Sequence, residues 1–312
     1  MNTQDCILIT GASGMVGRSL VKLLRSQGYE KILSPTSKEL DLRAQTDTFK
    51  YIQEQRPKFI FHLAGHIGGI KASITRPVEF MYENIIMGMN VIKAAHATGT
   101  EKLLFVGSSC IYPRECEQPM KEAHLLSGTL EPTNEGYSIA KIAGIKLCEY
   151  FNHQYKTNFI SLIPCNLYGY YDHFEPENSH VISALIYKMH KAKSKKSPQV
   201  EVWGTGVSRR EFLFVDDFSD AMVFFMNQWD APQTQPYVNI GLGHDISIRD
   251  LALLIQDVVG YHGDIQFNSS APDGMPKKLL DVSKAKNAGW SPKIDLREGL
   301  EKTYKWYKDV AP

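Results

Sequence analysis

The stretch that most restricts the fold lies near the N-terminus, where an apolar run meets a glycine loop and then a helical pattern. Residues 6–10 read CILIT, a short β-branched run, and Gly11, Gly14 and Gly17 follow at GxxGxxG spacing. The segment GMVGRSLVKLLRSQG has helical periodicity and ends at Gly28, a suitable C-cap. Such a loop lets the backbone approach a pyrophosphate, and the helix N-terminus supplies N–H donors. Alone the motif is weak, because glycines also serve ordinary turns, but its strand–loop–helix context predicts a dinucleotide site.

The alternation of strands and helices continues along the chain. Further strands are predicted at 58–65, 102–109, 159–169 and 237–241, and helices at 48–57, 85–99, 136–155 and 247–260. This alternation indicates an α/β fold with a doubly wound parallel sheet of the Rossmann type. Polar and glycine-containing segments at 169–180 and 196–212 interrupt it. We therefore predict a dinucleotide-binding domain of residues 1–168 plus about 213–241, and a smaller C-terminal α/β substrate lobe of about 169–212 plus 242–312.

Composition and charge exclude several classes of partner. The formal net charge is +1, so neither nucleic acid nor an anionic membrane surface is an expected partner. The five cysteines are scattered without CxxC spacing, which argues against a disulfide framework and against a metal site. There is no signal-peptide pattern and no apolar run of membrane-spanning length, so we expect a reducing, cytoplasmic location.

The choice between NAD and NADP depends on the segment SPTSKELDL, which should follow the second strand of the sheet. Ser37 and Lys38 come before any acidic residue in it. A ribose 2′-phosphate favours hydroxyls and positive charge, whereas the 2′-hydroxyl of NAD is usually bound by an acidic residue. We therefore predict NADP, and Glu39 keeps NAD as an alternative. Asp41 either holds the adenine amine or caps a turn.

Three residues on two elements suggest proton transfer. Tyr137 and Lys141 are four residues apart in the predicted helix 136–155, so they share one face. A nearby ammonium lowers the pKa of a phenol, which would let the tyrosine exchange a proton near neutrality. Ser108 ends a separate strand that should finish beside this pair. Two residues further, Cys110 has four possible roles: a packed side chain, a metal ligand, half of a disulfide, or a base.

These motifs together resemble the extended short-chain dehydrogenase/reductase family. The glycine loop, Ser108 and the Tyr137-x-x-x-Lys141 pair carry that resemblance. The segments GSSCIYP, GTLEPTNEGYSIAKIAGIKLCE, NSHVI, VWGTG, RREFLFVDD and PDGMPKKLLDV are similar to a narrower subgroup, the GDP-L-fucose synthases. This resemblance covers nearly the whole chain. It implies an NADPH-dependent epimerase/reductase, commonly a homodimer, that converts GDP-4-keto-6-deoxy-D-mannose to GDP-L-fucose.

The resemblance also assigns catalytic roles. A ketone at C4 acidifies the hydrogens on C3 and C5, and inverting each carbon takes one group to remove a proton and another to deliver one. By resemblance Cys110 is the base and His180 the acid, and both residue types can titrate near neutrality. Tyr137, supported by Ser108 and Lys141, would stabilise the enolate oxygen and then protonate O4 as NADPH delivers hydride to C4.

Two sets of binding residues follow from the same resemblance. Cofactor contacts are expected from Gly11, Ser13, Gly14, Met15, Val16, Gly17, Ser37, Lys38, Asp41, Leu42, Leu63, Ala64, Val106, Gly107, Tyr137, Lys141, Pro164, Asn166, Leu167 and His180. Contacts to the GDP-linked sugar are expected from Ser108, Cys110, Asn166, Lys188, Trp203, Arg210, Asp273 and Lys278. Cations suit a diphosphate, an aromatic ring offers packing, and a carboxylate can bind ribose hydroxyls or the base.

The chain departs from the subgroup in the segment PCNLYGYYDHF, where many members read PTNLYGPHDNF. Cys165 replaces a threonine, Tyr170 and Tyr171 replace Pro-His, and His173 replaces an asparagine. The two added tyrosines favour, as an alternative, a sister enzyme acting on another GDP-4-keto sugar, such as that of GDP-L-colitose synthase or a 4-keto heptose. More distant alternatives are a UDP-sugar 4-epimerase that retains NAD, and a nucleotide-sensing regulator on the same fold.

Overall fold

Strands and helices alternate along the chain in the computed structural model, which describes residues 1–68, 70–175, 179–270 and 274–310. The strands are β1 (Ile7–Thr10), β2 (Ile32–Leu33), β3 (Phe59–His62), β4 (Lys102–Val106), β5 (Phe159–Pro164), β6 (Asn166–Tyr168), β7 (Gln199–Trp203), β8 (Arg209–Arg210), β9 (Phe212–Phe214), β10 (Tyr237–Ile240), β11 (Ile246–Ser247), β12 (Asp264–Asn268) and β13 (Lys277–Lys278). The helices are α1 (Met15–Ser26), α2 (Gln45–Gln55), α3 (Ile70–Thr75), α4 (Pro77–Ala97), α5 (Glu135–Tyr155), α6 (Val181–Ser194), α7 (Val215–Gln228), α8 (Ile248–Val259), α9 (Ser283–Asn287) and α10 (Leu296–Val310).

The central sheet has six strands in the order β2-β1-β3-β4-β5-β10, and every pair is parallel. Strands β1, β3 and β5 are buried along their whole length, as expected of a sheet covered by helices on both faces. Helices α1 and α7 pack on each other, as do α4 and α5. The strand order reverses between β1 and β3, so a ligand crevice is expected outside the carboxyl ends of these strands. The predicted α/β class and doubly wound parallel sheet are confirmed.

The prediction of one strand at 159–169 is wrong, because β5 and β6 belong to different sheets. β5 lies between β4 and β10, whereas β6 pairs with β9 in a separate two-stranded sheet. The chain changes sheet at Cys165, whose N–H still donates to the carbonyl of Ile240 at 3.0 Å. Pro164 and Asn166 flank the break, so the sequence carries only a short turn signal within a largely apolar run. The predicted helix 85–99 instead begins at Pro77, a residue suited to the first turn of a helix.

Buried apolar side chains form two clusters. The larger cluster packs on the central sheet and contains side chains of β1, β3, β4, β5 and β10. The smaller cluster gathers side chains of β7, β9, α6, α8 and α10. Leu280 and Trp290, which lie between β13 and α10 along the chain, pack in the larger cluster. No helix among the described residues is long and apolar enough to cross a membrane.

Candidate active site

The glycine loop between β1 and α1 is shaped by backbone contacts that exclude side chains. Gly11 has a φ of +72°, and a Cβ there would lie 2.7 Å from the backbone nitrogen of Ala64. A Cβ on Gly17 would lie 2.5 Å from the Cα of Ala12. Around Gly14 a Cβ would meet one atom within 4 Å, at 3.5 Å, so space is open at the start of α1. An exposed helix N-terminus with no side-chain cap and an open approach fits a dinucleotide pyrophosphate.

One contact in this loop was not expected from the sequence. The Nε of Arg18, in the first turn of α1, donates to the carbonyl of Ser13 at 2.8 Å. The guanidinium also lies 4.9 Å from the ring centroid of Tyr171. Arg18 therefore connects the glycine loop to the segment after β6, one of the stretches where the chain departs from its relatives. The arginine is visible in the sequence, but its partner is 153 residues away.

The segment after β2 presents its polar groups in the way that NADP requires. Ser37 and Lys38 are exposed. Glu39, the residue that kept NAD as an alternative, accepts hydrogen bonds from the backbone N–H and the hydroxyl of Thr36 at 2.7 and 2.9 Å. These bonds lower the pKa of Glu39 and turn its carboxylate toward its own loop. The carboxylate of Glu39 is therefore engaged within its own turn, and the exposed positive charge of Lys38 favours a 2′-phosphate.

The carboxylate of Asp41, predicted to hold adenine or cap a turn, is engaged by Arg43. Arg43 donates to both carboxylate oxygens at 2.9 to 3.2 Å, and these bonds lower the pKa of Asp41. Arg43 also pairs with Glu83 at 3.1 Å, and Glu83 in turn contacts His66 at 3.0 Å. The predicted adenine contact of Asp41 stays a prediction. Arg43, half-exposed beside it, is a cation that the sequence analysis missed.

The residues predicted to carry out reduction, Ser108, Tyr137 and Lys141, come together at the carboxyl end of β4. Ser108 lies two residues beyond β4, and its hydroxyl acts to lower the pKa of the Tyr137 phenol. Lys141 donates from Nζ to the carbonyl of Val106 at 2.8 Å, and its Nζ lies 5.7 Å from the ring centroid of Tyr137. Helix α5 contributes both residues one turn apart, as the spacing predicted. A hydroxyl, a phenol and a buried amine thus converge on one point.

Burial, rather than the positive charge of Lys141, has the largest effect on the pKa values of Tyr137 and Lys141. Desolvation lowers the pKa of Lys141 to about 8. Desolvation raises the pKa of Tyr137, the charge of Cys110 raises it further, and the hydrogen bond from Ser108 only partly opposes these effects. The expectation of a lowered pKa for this phenol is wrong for the protein alone, because burial and the charge of an ionised Cys110 both raise the pKa of Tyr137. A protonated Tyr137 at neutral pH is suited to donating a proton.

Cys110 lies in a short 3-10 turn, Ser109–Ile111, directly after the serine of the reduction set. Its Sγ accepts a hydrogen bond from the Nζ of Lys278 at 3.3 Å. Burial opposes ionisation of the thiol, but the Lys278 charge and hydrogen bonds from Ser108, Lys278 and Asn134 outweigh it, so the pKa of Cys110 lies below its usual range. Asn134 was not predicted as a site residue, although it lies three residues before Tyr137 and therefore near the same face of the helix start.

The other roles considered for Cys110 have no support in its surroundings. All five cysteines are free, and the described residues contain no group of three or more His, Cys, Asp or Glu side chains that could hold a metal ion. Cys110 is half-buried, unlike Cys148 and Cys165, which are fully buried. A half-buried thiol beside an ammonium is the environment of a reactive cysteine rather than of a packed one.

His180 immediately precedes α6, and it is exposed. Its carbonyl accepts the N–H of Ala184 at 2.9 Å, so the backbone of His180 belongs to the start of the helix. In the part of the chain that the structure describes, His180 makes no hydrogen bond to Cys110. The pairing of these two residues as acid and base therefore stays a prediction.

The residues predicted to bind the GDP-sugar occupy several elements. Trp203 ends β7 with 69% of its surface exposed, and the Nζ of Lys188 lies 5.6 Å from its ring centroid. An exposed indole beside a cation is a surface that could pack against a nucleotide. The side chain of Asn166 donates to the carbonyl of Glu211 at 2.8 Å. Arg210 lies in β8, next to β13 with Lys278. Asp273 lies outside the described residues.

The tyrosines that replace Pro-His pack between elements that are distant along the chain. Tyr170 contacts Phe214 and Trp306, with ring centroids 5.3 and 6.4 Å apart. Tyr171 has a φ of +65°, and its ring centroid lies 5.1 Å from that of Trp306. The aromatic contacts of this pair therefore lead to α10 and to the glycine loop. Cys165 is buried, and burial raises its pKa well above the usual range.

A doubly wound sheet with a glycine loop after β1, and a Ser–Tyr–Lys set at the same edge, is the arrangement of dinucleotide-dependent reductases and epimerases. The chain belongs to the NAD dependent epimerase/dehydratase family, whose model matches residues 7–241. It is 45% identical to the GDP-L-fucose synthase of Escherichia coli strain K12 over 308 residues, which cover 96% of each protein. It is 43% identical to the GDP-L-colitose synthase of Yersinia pseudotuberculosis over 307 residues, covering 96% of this chain and 97% of that protein.

Solved structures give the same family. The chain superposes with a TM-score of 0.91 on MlghC, the GDP-mannoheptose C4 reductase from Campylobacter jejuni with NADP bound. The two share 36% sequence identity, and the match covers 99% of both chains.

Proposed function

We propose that this protein is an NADPH-dependent epimerase/reductase that converts GDP-4-keto-6-deoxy-D-mannose into GDP-L-fucose. The observation that carries the proposal is the ionisable Cys110, held 3.3 Å from the ammonium of Lys278 and two residues from Ser108 of the reduction set. A plain reductase needs Ser108, Tyr137 and Lys141 but has no use for a thiolate next to them. The identity of 45% to GDP-L-fucose synthases along nearly the full chain supports the same substrate.

The first half of the proposed reaction is proton exchange on carbon. The Cys110 thiolate removes a proton from the carbon beside the ketone, which leaves a thiol and an enolate on the sugar. The hydroxyls of Ser108 and Tyr137 donate hydrogen bonds to the enolate oxygen, where the negative charge develops. His180 returns a proton to the opposite face of the carbon, which inverts it. The same exchange is possible at C3 and C5 because both carbons flank the ketone.

The second half is reduction of the ketone. Bound NADPH supplies a hydride to C4. Tyr137 gives its phenolic proton to O4, and the raised pKa of this phenol keeps that proton in place at neutral pH. Lys141, anchored to the carbonyl of Val106, holds positive charge beside the phenol and so stabilises the phenolate that forms.

We further propose how the chain divides this work. Residues 1–168 with about 213–241 bind NADP through the glycine loop and Lys38, and about 169–212 with 242–312 bind the GDP-sugar through Lys188 and Trp203. The active unit is a homodimer in the cytoplasm. Exposed apolar side chains on adjacent helices α4 and α5, Val78, Tyr82 and Tyr150 among them, support a helical dimer interface. Light scattering on the purified protein tests the dimer, and a monomeric mass would exclude it.

The function is tested by supplying each candidate sugar with NADPH. We expect fastest NADPH oxidation with GDP-4-keto-6-deoxy-D-mannose, and a product identical to GDP-L-fucose by NMR. Absence of NADPH oxidation with every GDP-4-keto sugar would refute the proposal. Faster turnover of the 3-deoxy sugar or of a 4-keto heptose would support a sister enzyme instead, an alternative favoured by the similarity to GDP-L-colitose synthase and to MlghC.

The epimerase half is tested with Cys110→Ser in deuterated water. We expect solvent deuterium entry at C3 and C5 to fall by about 10²- to 10⁴-fold, the usual contribution of a positioned base, while NADPH binding is unchanged. Cys116→Ser is the matched control, because Cys116 is also partly exposed but contacts His124 rather than the site. Normal exchange in Cys110→Ser would exclude the thiol as the base.

A further inference from the structure

The two lysines of β13 point to different partners. The Nζ of Lys277 lies 3.3 Å from a carboxylate oxygen of Asp245, which Arg209 also contacts at 2.7 Å. The Nζ of Lys278 lies 3.3 Å from the Sγ of Cys110. Side chains of successive strand residues project to opposite sides, so the register of β13 decides which lysine meets the thiol. Lys277 completes a surface ion-pair cluster, and Lys278 is directed into the candidate active site.

The chain directly after Lys278 is fixed by hydrogen bonds to other elements. The N–H of Leu279 donates to the Oε1 of Gln118 at 2.8 Å, and its carbonyl accepts from the N–H of Met120 at 2.8 Å. The N–H of Leu280 donates to the buried carboxylate of Glu211 at 3.0 Å. These bonds fix the backbone that carries Lys278, whose ammonium lies within hydrogen-bond distance of Cys110.

We propose that Lys278 is a positioning residue that keeps Cys110 ionised before the sugar binds, rather than a contact for the diphosphate of the substrate. The inference rests on the proposed role of Cys110 as the epimerisation base and names the group that prepares it. A base must be unprotonated to accept a proton, and an ammonium at hydrogen-bond distance favours the thiolate over the thiol. A lysine whose ammonium is paired with a thiolate binds a phosphate less strongly, because its positive charge is already partly balanced.

The surroundings of Cys110 leave Lys278 as the group that can provide this charge. Among the residues that the structure describes, the ionisable groups that interact with the thiol are Lys278 from β13 and Tyr137 from α5. The phenol is neutral in its protonated state and cannot balance a thiolate. Ser108 and Asn134 contribute neutral hydrogen bonds, which help the thiolate but are weaker than a charged donor. Without the ammonium, burial would favour the neutral thiol.

The test is the rate of alkylation of Cys110 by iodoacetamide as a function of pH, with no sugar present. The thiolate sulfur forms a bond to carbon and iodide leaves, so the rate follows the ionised fraction. Because five cysteines are free, the reaction is followed by mass spectrometry of the peptide that contains Cys110. The unmodified protein contains its own reference, Cys116, whose pKa is raised by burial. We expect Cys110 to reach its alkylation plateau at a lower pH than Cys116.

The variants are Lys278→Met, Lys278→Arg and the matched control Lys277→Met. We expect Lys278→Met to reduce alkylation of Cys110 at neutral pH by at least about tenfold, the factor that corresponds to one pH unit in the midpoint. The rate on the high-pH plateau should be preserved. Lys278→Arg keeps the charge and should retain the neutral rate within about threefold. Lys277→Met should have no effect, since its Nζ faces Asp245.

The results separate this proposal from its alternatives and from the proposed function. If Lys278→Met leaves the alkylation profile unchanged but raises KM for the GDP-sugar, Lys278 is a diphosphate ligand and the inference is overturned. An equal loss in Lys277→Met would also overturn it, because a general disturbance of β13 would then explain the effect. NADPH binding by each variant shows that the fold is intact. If Lys278→Met does not fold, the test uses the unmodified protein alone. The proposal is then refuted if Cys110 reaches its alkylation plateau at a pH no lower than Cys116 does. Since no sugar is used, a wrong substrate assignment does not affect the outcome.

Discussion

The close approach of α5 to β4 at Gly144 leads to a prediction about stability and activity together. A Cβ built on Gly144 would lie 2.7 and 2.8 Å from two carbons of the Phe105 ring, closer than side chains pack. The ring has little room to move aside, because it is buried, stacks on His62 with centroids 5.5 Å apart, and also lies against Gly88 of α4. Gly144, Lys141 and Tyr137 share one face of α5 at spacings of three and seven residues.

Two effects of Gly144→Ala oppose each other. Alanine in a helix interior is favoured over glycine by about 1 kcal/mol, whereas overpacking a core costs about 1–3 kcal/mol. Because the contact is shorter than 3 Å and the ring is confined, we take the upper half of that range and expect a net loss of about 1–2 kcal/mol in the free energy of unfolding. The helix must also move outward, which shifts Lys141 and Tyr137. A displacement of about 1 Å in a catalytic group can reduce the rate about 10²-fold.

Urea unfolding and NADPH oxidation measure the two effects. Gly88→Ala is the matched control: it is also a helical glycine against Phe105, but its nearest ring carbon would lie at 3.3 Å, so a small adjustment suffices. Phe105→Leu should relieve the clash, and a double-mutant cycle with Gly144→Ala should give a favourable coupling of about 0.5–3 kcal/mol. A Gly144→Ala protein that is more stable than the parent and fully active would refute the argument that this contact positions the catalytic helix.

Three further predictions concern the reduction half of the site. Tyr137→Phe should lower NADPH oxidation by about 10²- to 10⁴-fold, because O4 loses its proton donor, and NADPH fluorescence should show unchanged binding; full activity would exclude the assignment. The kcat/KM for ketone reduction should decline as the pH rises through about 8, since the ammonium of buried Lys141 loses its proton there, and Lys141→Arg, however slow, should lack this decline. Lys38→Ala should raise KM for NADPH by roughly fivefold, about 1 kcal/mol for an exposed ion pair, and leave KM for NADH unchanged; equal effects on both would argue against a 2′-phosphate contact.

Local patterns in the sequence were sufficient for the fold and for the placement of Tyr137 and Lys141 on one face of a helix. The GxxGxxG loop, the alternation of strands and helices, and the i, i+4 pair Tyr137 and Lys141 all depend on residues close together along the chain. The periodicity of a helix or strand fixes the face that each side chain occupies. The structure therefore agrees with the predictions made from these patterns. The change of sheet at Cys165 had only a weak local signal, Pro164 and Asn166, within a run whose other residues are mostly apolar.

Other features depend on contacts between distant segments, which periodicity does not encode. Lys278 and Cys110 are 168 residues apart. The sequence placed both in the site but gave no reason to pair them. The acidity of Tyr137 was predicted with the wrong sign because the depth of a side chain, and the charge of a cysteine beside it, follow from tertiary packing. Ion pairs such as Arg43 with Glu83 were missed for the same reason.

The charge on Cys110 connects the two halves of the proposed reaction. Burial and the charge of an ionised Cys110 both raise the pKa of Tyr137. The phenol therefore retains its proton as long as Cys110 is a thiolate. When Cys110 takes a proton from the sugar, its negative charge disappears and the phenol becomes more acidic, just as negative charge develops on the enolate oxygen beside it. We infer that this coupling disfavours reduction before deprotonation at carbon. In deuterated water every molecule of product should therefore carry solvent deuterium at an epimerised carbon, and a reduced sugar without deuterium would contradict the coupling.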